Sequence, residues 1–228
     1  PTSTSPKRSH QFYHNIRHSS FVSLNHTMEK LFVGDFDKNE LLGRTVLVRV
    51  DFNVPLNEGP NPDEIVPADT SRIRASLPTI EFLIKSGAKV VLCSHLGRPR
   101  GKDPKLSMQV LVNPLKELIG ECVTFVDDCV GDKVDAAKQW LKQGDVLLLE
   151  NLRFHEEEIA NDAGFSQQLG SFVDVYVNDA FGSSHRGTNM LYIFLLKRCI
   201  ILQSLRVQPT LPLLELLRSC LNAALDSS

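Results

Sequence analysis

Between residues 45 and 177 the apolar positions switch repeatedly between two periods. Short apolar runs rich in β-branched residues read as strands: Thr45-Val-Leu-Val-Arg-Val50, Lys89-Val-Val-Leu-Cys93, Cys122-Val-Thr-Phe-Val126, Val146-Leu-Leu-Leu149 and Val173-Asp-Val-Tyr-Val177. Between them apolar residues return at helical spacing. Ile73, Leu77, Ile80 and Ile84 predict a helix over about 72–85, and Val110, Leu111, Leu115 and Leu118 one over about 107–118. Two more polar helices are expected over 132–142 and 162–172. Asp69-Thr70-Ser71 offers capping side chains for the first helix, Pro78 predicts a kink or a late start, and Gly87, Gly120 and Gly144 close elements. The stretch from Asp51 to Ala68, with Pro55, Gly59, Pro60 and Pro62, reads as a loop lengthened by an insertion-like segment at 58–62.

Strands alternating with helices argue for a mostly parallel sheet covered on both faces. The expected fold is α/β: a Rossmann-like, doubly wound parallel sheet in three α/β/α layers, spanning residues 28–186. The two ends differ in character. Residues 1–27 hold Lys7, Arg8, Arg17 and four histidines but no Asp or Glu, which fits an organellar transit peptide, a disordered tail or translated leader ahead of Met28. Beyond Gly187 leucines dominate, and 187–228 reads as a helical tail with helices near 191–206 and 212–225. Such a tail either packs on the domain or leaves an apolar patch that favours association.

Composition narrows the functions. A net charge of −2 gives no basic field suited to general nucleic-acid binding. No apolar run approaches the ~20 residues of a membrane span. Five cysteines in no metal-ligand spacing read as reduced, mostly buried thiols of an intracellular protein.

Polar residues collect beyond the strands' carboxyl ends: Asp51 and Asn53, His95 and Arg98, Asn151 and Arg153, Asn178, Asp179 and Arg186. In a parallel sheet these ends share one edge, the usual ligand site of the class. With Arg72 opening the first helix, four arginines and a histidine would face one cleft. Like charges gathered there repel unless an anion offsets them, so a small ligand with carboxylate and phosphate groups is expected. Gly97-Arg-Pro-Arg-Gly-Lys-Asp103 is one residue short of a Walker loop and has Asp in place of the magnesium-binding hydroxyl. Ser94-His95 and Ser184-His185 are sequence neighbours, unlike a catalytic serine and its base. Glu156-Glu157-Glu158 reads as a solvated acidic turn.

Four signatures then resemble phosphoglycerate kinase: Val48-Arg-Val-Asp-Phe-Asn-Val-Pro55, Ser94-His-Leu-Gly-Arg-Pro99, Glu150-Asn-Leu-Arg-Phe154, and Tyr176-Val-Asn-Asp-Ala-Phe-Gly182 with His185-Arg186. They stand in order from about 41 to 186, over the family's amino-terminal domain. The resemblance implies that Asp51, Phe52, Asn53, Arg72, His95, Leu96, Gly97, Arg98, Arg153 and Arg186 bind 3-phosphoglycerate or 1,3-bisphosphoglycerate. Asp51 and Asn53 would hold its hydroxyl and carboxylate end, and His95, Arg98, Arg153 and Arg186 its non-transferred phosphate. Arg72 would be the catalytic residue that stabilises the phosphoryl group passing between ADP and the acyl phosphate. The family also implies Mg-ATP or ADP and a monomer, with no nucleic-acid or membrane partner.

After His185-Arg186 the family would continue with another histidine, a small-residue segment and a glycine-rich nucleotide domain. Gly187-Thr-Asn-Met190 and the leucine-rich tail do not resemble it. Hence three readings: a phosphoglycerate kinase represented by its substrate-binding half, an inactive phosphoglycerate-binding fragment, or an aberrant truncated product whose tail drives association. A start at Met28 implies the cytosol, and a longer leader a plastid or mitochondrion.

Overall fold

The computed structural model describes residues 33–36, 38–61, 64–180 and, by their backbone, 200–203. A short helix α1 (Lys38–Leu41) leads into β1 (Thr45–Val50), a small antiparallel hairpin of β2 (Leu56–Glu58) and β3 (Ile65–Pro67), and α2 (Ser71–Lys85). Then follow β4 (Lys89–Cys93), α3 (Val112–Ile119), β5 (Val123–Phe125), α4 (Asp132–Gln139), β6 (Val146–Leu148), α5 (Glu156–Ala160), α6 (Ala163–Gly170), β7 (Val175–Asp179) and β8 (Ile200–Gln203).

The main sheet has six strands in the order β5-β6-β4-β1-β7-β8, and every neighbouring pair is parallel. The strands are apolar on both faces because both are covered. Val46, Val48, Val90 and Leu92 face a core closed by Ile73, Ile80 and Leu83 of α2 and Leu115 of α3. Leu47, Val91 and Leu147 face a second core with Val134 of α4 and Phe165 and Leu169 of α6. This is the expected three-layer α/β/α arrangement, and β1 at its centre hands its carboxyl end to the site.

Several local expectations are corrected. α2 runs through Pro78 and begins at Ser71, with no late start. Thr70 makes no side-chain cap; Asp69 Oδ1 instead accepts from the Ser71 N–H at 2.8 Å. The helix expected over 107–118 opens as a 3-10 turn, Met108–Leu111, which leaves Pro114 in the first turn of α3, where a missing N–H costs little. α4 stops at Gln139, because Trp140 and Leu141 tighten into bonds to the carbonyls three residues back. The expected loop instead contains the β2–β3 hairpin, with β2 ending at the start of the insertion-like segment and the base closed by Ala68 N–H donating to the Pro55 carbonyl at 2.8 Å.

The tail differs as well. Ile200–Gln203, expected inside a helix, pairs with β7 as the last strand of the sheet. A short apolar run such as Ile-Ile-Leu has no period that separates a buried strand from a buried helix. The second expected tail helix, near 212–225, lies outside the described residues.

Candidate functional site

Three strand ends build the site. β1 leads into Asp51, Phe52 and Asn53, β4 into Ser94 to Arg98, and β6 into Glu150 to Arg153. Ser94 ties the first two together, its Oγ accepting from the Phe52 N–H at 3.0 Å and donating to the Val50 carbonyl at 2.7 Å. Gly97 is the meeting point. Asn53 Oδ1 accepts from its N–H at 2.8 Å, and Arg153 Nη1 donates to its carbonyl at 2.7 Å. Gly97 has φ +64°, and a Cβ there would stand 2.9 Å from Leu106 Cδ2, so both conformation and space favour glycine.

The charges are arranged unevenly. Arg72, in the first turn of α2, points one nitrogen at Asp51, with Nη1 2.9 Å from both carboxylate oxygens. Its Nη2 and Nε make no hydrogen bond among the described residues, and the side chain is half exposed. His95 is buried, and its pKa is lowered to about 4: burial comes first, then the charges of Arg153 and Arg49, against the opposing Glu158 and Asp51. The imidazole is thus neutral near pH 7. Arg98 follows Gly97 and is exposed.

Asp51, Asn53, Arg72, His95, Gly97, Arg98 and Arg153 accordingly come to one edge. Phe52 and Leu96 reach it only as supports: their side chains are buried and their N–H groups donate to Ser94 and Asn151. Asn151, grouped by sequence with the cleft residues, is completely buried. Asp179 is buried in β7 opposite Val50, and Asn178 Oδ1 accepts from the Ala180 N–H two residues along. Arg186 lies outside the described residues.

Sequence reasoning missed three supports. Ser94 stands out in the sequence only beside His95 and within the second signature, with no sign of its bonds to β1. Glu150 was only the end of a strand, yet its carboxylate accepts from Ser107 Oγ, the Met108 N–H and the Asn151 N–H, each at 2.7 Å. Arg49, a charge inside an apolar strand, was the one clear signal of a buried pair: its Nη2 meets Glu158 Oε1 at 2.9 Å, which also removes Glu158 from the solvated acidic turn.

Among the described residues no group of three His, Cys, Asp or Glu side chains could hold a metal ion. The cationic loop Gly97 to Lys102 leads into a 3-10 turn, Pro104–Leu106, with no long helix to point at phosphates. These residues do not fit Mg-ATP or ADP.

A doubly wound parallel α/β domain with arginines and a histidine on its carboxyl edge defines an anion-binding class. This chain belongs to the phosphoglycerate kinase family, whose model, "Phosphoglycerate kinase", matches residues 36–196. Phosphoglycerate kinase of Moorella thermoacetica is 54% identical over 160 residues, covering 70% of this chain and 38% of that protein. The chloroplastic phosphoglycerate kinase 2 of Arabidopsis thaliana is 50% identical over 160 residues, covering 70% of this chain and 32% of its own length. The crystal structure of phosphoglycerate kinase from Pyrococcus horikoshii is similar with a TM-score of 0.66 at 29% identity, over 86% of this chain and 45% of that one. The chain thus spans less than half the length of these relatives. The family match also runs past Arg186 to residue 196, into the stretch expected to be unrelated.

Proposed function

We propose that the domain over 28–186 is the phosphoglycerate-binding half of a phosphoglycerate kinase, which passes a phosphoryl group between 1,3-bisphosphoglycerate with ADP and 3-phosphoglycerate with ATP. One observation carries this reading: residues from two other strand ends, Asn53 and Arg153, grip the two sides of Gly97 in the loop that bears His95 and Arg98. Asp51 and the free amide nitrogen of Asn53 take the ligand's hydroxyl and carboxylate end. His95, Arg98, Arg153 and Arg186 take the phosphate that stays. Arg72, steadied through one nitrogen by Asp51, turns its remaining N–H groups to the phosphoryl group in transfer. Such transfer depends on positioning and charge stabilisation, with no covalent nucleophile, so an arginine-lined edge suits it.

The test is calorimetric titration of the chain with 3-phosphoglycerate and, separately, with Mg-ATP. Saturable binding of the acid, weakened at least about tenfold by Arg153→Ala through the lost charge-assisted bonds, is expected. Binding of Mg-ATP alone would sink the reading.

The protein acts as a monomer in the cytoplasm. A plastid location is the second reading, favoured by the basic, acid-free composition of residues 1–27 and by chloroplastic relatives. Sequencing the mature amino terminus from fractionated cells separates the two. No helix among the described residues is long and apolar enough to cross a membrane.

A further inference from the structure

Asn151 follows β6 at the bottom of the site, fully buried. Its carboxamide has two N–H groups to give and one oxygen that can accept twice, and all of this capacity is used. Oδ1 accepts from the Leu96 N–H at 3.2 Å and the Arg153 N–H at 3.1 Å. Nδ2 donates to the carbonyls of Leu96 and Leu106, each at 2.8 Å. Nothing remains for a ligand. What the side chain does is close the loop between Leu96 and Leu106 at both ends and fasten it to the turn that carries Arg153. Its own N–H is held by Glu150, whose carboxylate also anchors the Ser107 hydroxyl and the Met108 N–H.

Gly97 and Arg153 then meet next to the loop and the turn that the Asn151 side chain joins. The Arg153 guanidinium bonds the Gly97 carbonyl, one residue beyond the clamp. We propose that Asn151 is a positioning residue: its carboxamide fixes Arg153 against the Leu96-Gly97 backbone and so sets how tightly the site holds a phosphorylated three-carbon acid. The inference rests on the function proposed above. Asparagine is the residue required, because leucine has no polar atoms and aspartate turns both donations into oxygen-oxygen repulsion.

The experiment is a double-mutant cycle on the whole chain, read by calorimetric titration with 3-phosphoglycerate. Asn151→Asp, and in parallel Asn151→Ser, which keeps a short acceptor, are made alone and with Arg153→Ala. Each folded Asn151 variant is expected to weaken binding by about tenfold or more, while adding much less in the Arg153→Ala background. That non-additivity is what a merely structural role would not produce. Unchanged affinity in a folded variant overturns the inference, as do losses that simply add. Failure of both variants to melt cooperatively also overturns it, since Asn151 would then act on stability alone. If the unaltered chain does not bind 3-phosphoglycerate, the functional reading itself has failed and this inference falls with it. Binding by the unaltered chain with additive losses removes the inference alone.

Discussion

His95 is a neutral group set among cations, and its protonation has a consequence for stability. Burial, followed by Arg153 and Arg49, lowers its pKa to about 4, whereas an unfolded chain titrates near 6.5. Between those values the unfolded chain binds a proton that the folded one does not. Stability is therefore lost as pH falls through that window, by up to about 3 kcal/mol. Urea unfolding at pH 7 and pH 4.5 should show this loss in the unaltered chain and a smaller one in His95→Gln; equal losses would mean the imidazole is not held neutral. Cysteines follow the same logic. Burial raises the Cys93 thiol to about 12 and that of Cys129 well above its usual value, while Cys122 is only partly buried. Brief alkylation of the native protein with peptide mapping should mark Cys122 and spare Cys93 and Cys129. Labelling of Cys93 at the rate of Cys122 would contradict that burial. At this scale the sequence disclosed which residues carry charge, since His95, Arg98 and Arg153 stood beyond strand ends and Arg72 at the start of the first long helix. It did not disclose roles set by partners far along the chain. Asn151 reads like a cleft residue until Leu96 and Leu106 are seen around it.

Elements were legible where one period ran long enough. β1, β4 and α2 follow directly from their apolar spacing, because burial on a sheet face or a helix stripe is what imposes that spacing. Some short pieces were not legible: β2, β3 and α5 lack an apolar run for a period to register in, whereas the equally short β5 and β6 were read from theirs. α5 is the instructive case, because Glu156-Glu157-Glu158 look alike and behave differently. Only Glu158 reaches Arg49 of β1, and the two side chains are 9% and 5% exposed. The partner stands far back in the chain, so composition shows a charge in a strand but not what neutralises it. Removing the Glu158 charge takes away the carboxylate that faces Arg49 in a buried site. Glu158→Gln should destabilise by about 3 kcal/mol, whereas Glu156→Gln and Glu157→Gln should stay within about 0.5 kcal/mol as exposed substitutions. Urea midpoints of the three variants measure this, and three equal midpoints would place Glu158 in solvent. The pair also sits behind His95, whose titration feels both Arg49 and Glu158, so α5 fixes part of the field at the ligand edge.

For the whole molecule, the order of the motifs was more informative than any one of them. Parallel topology places every strand's carboxyl end on one edge, so residues scattered from Asp51 to Arg153 become neighbours once the sheet order is fixed. The same geometry limits what the described residues can do. On the function proposed above they bind an anion, yet Arg72 stands half exposed with two of its nitrogens making no hydrogen bond among the described residues, and no group of three His, Cys, Asp or Glu side chains among these could hold a metal ion. Transfer without hydrolysis needs water excluded from both substrates as the site closes over them. The 228-residue polypeptide is therefore expected to bind 3-phosphoglycerate while turning over at background. A coupled assay with Mg-ATP and 3-phosphoglycerate should give below about 0.01 per second, against about 1–100 per second for kinases. A rate inside that range would show that residues beyond those described complete the nucleotide site. Binding without turnover would instead separate the two tasks physically: the parallel sheet's edge suffices to recognise the acid, and bringing the phosphoryl donor to Arg72 requires a second body.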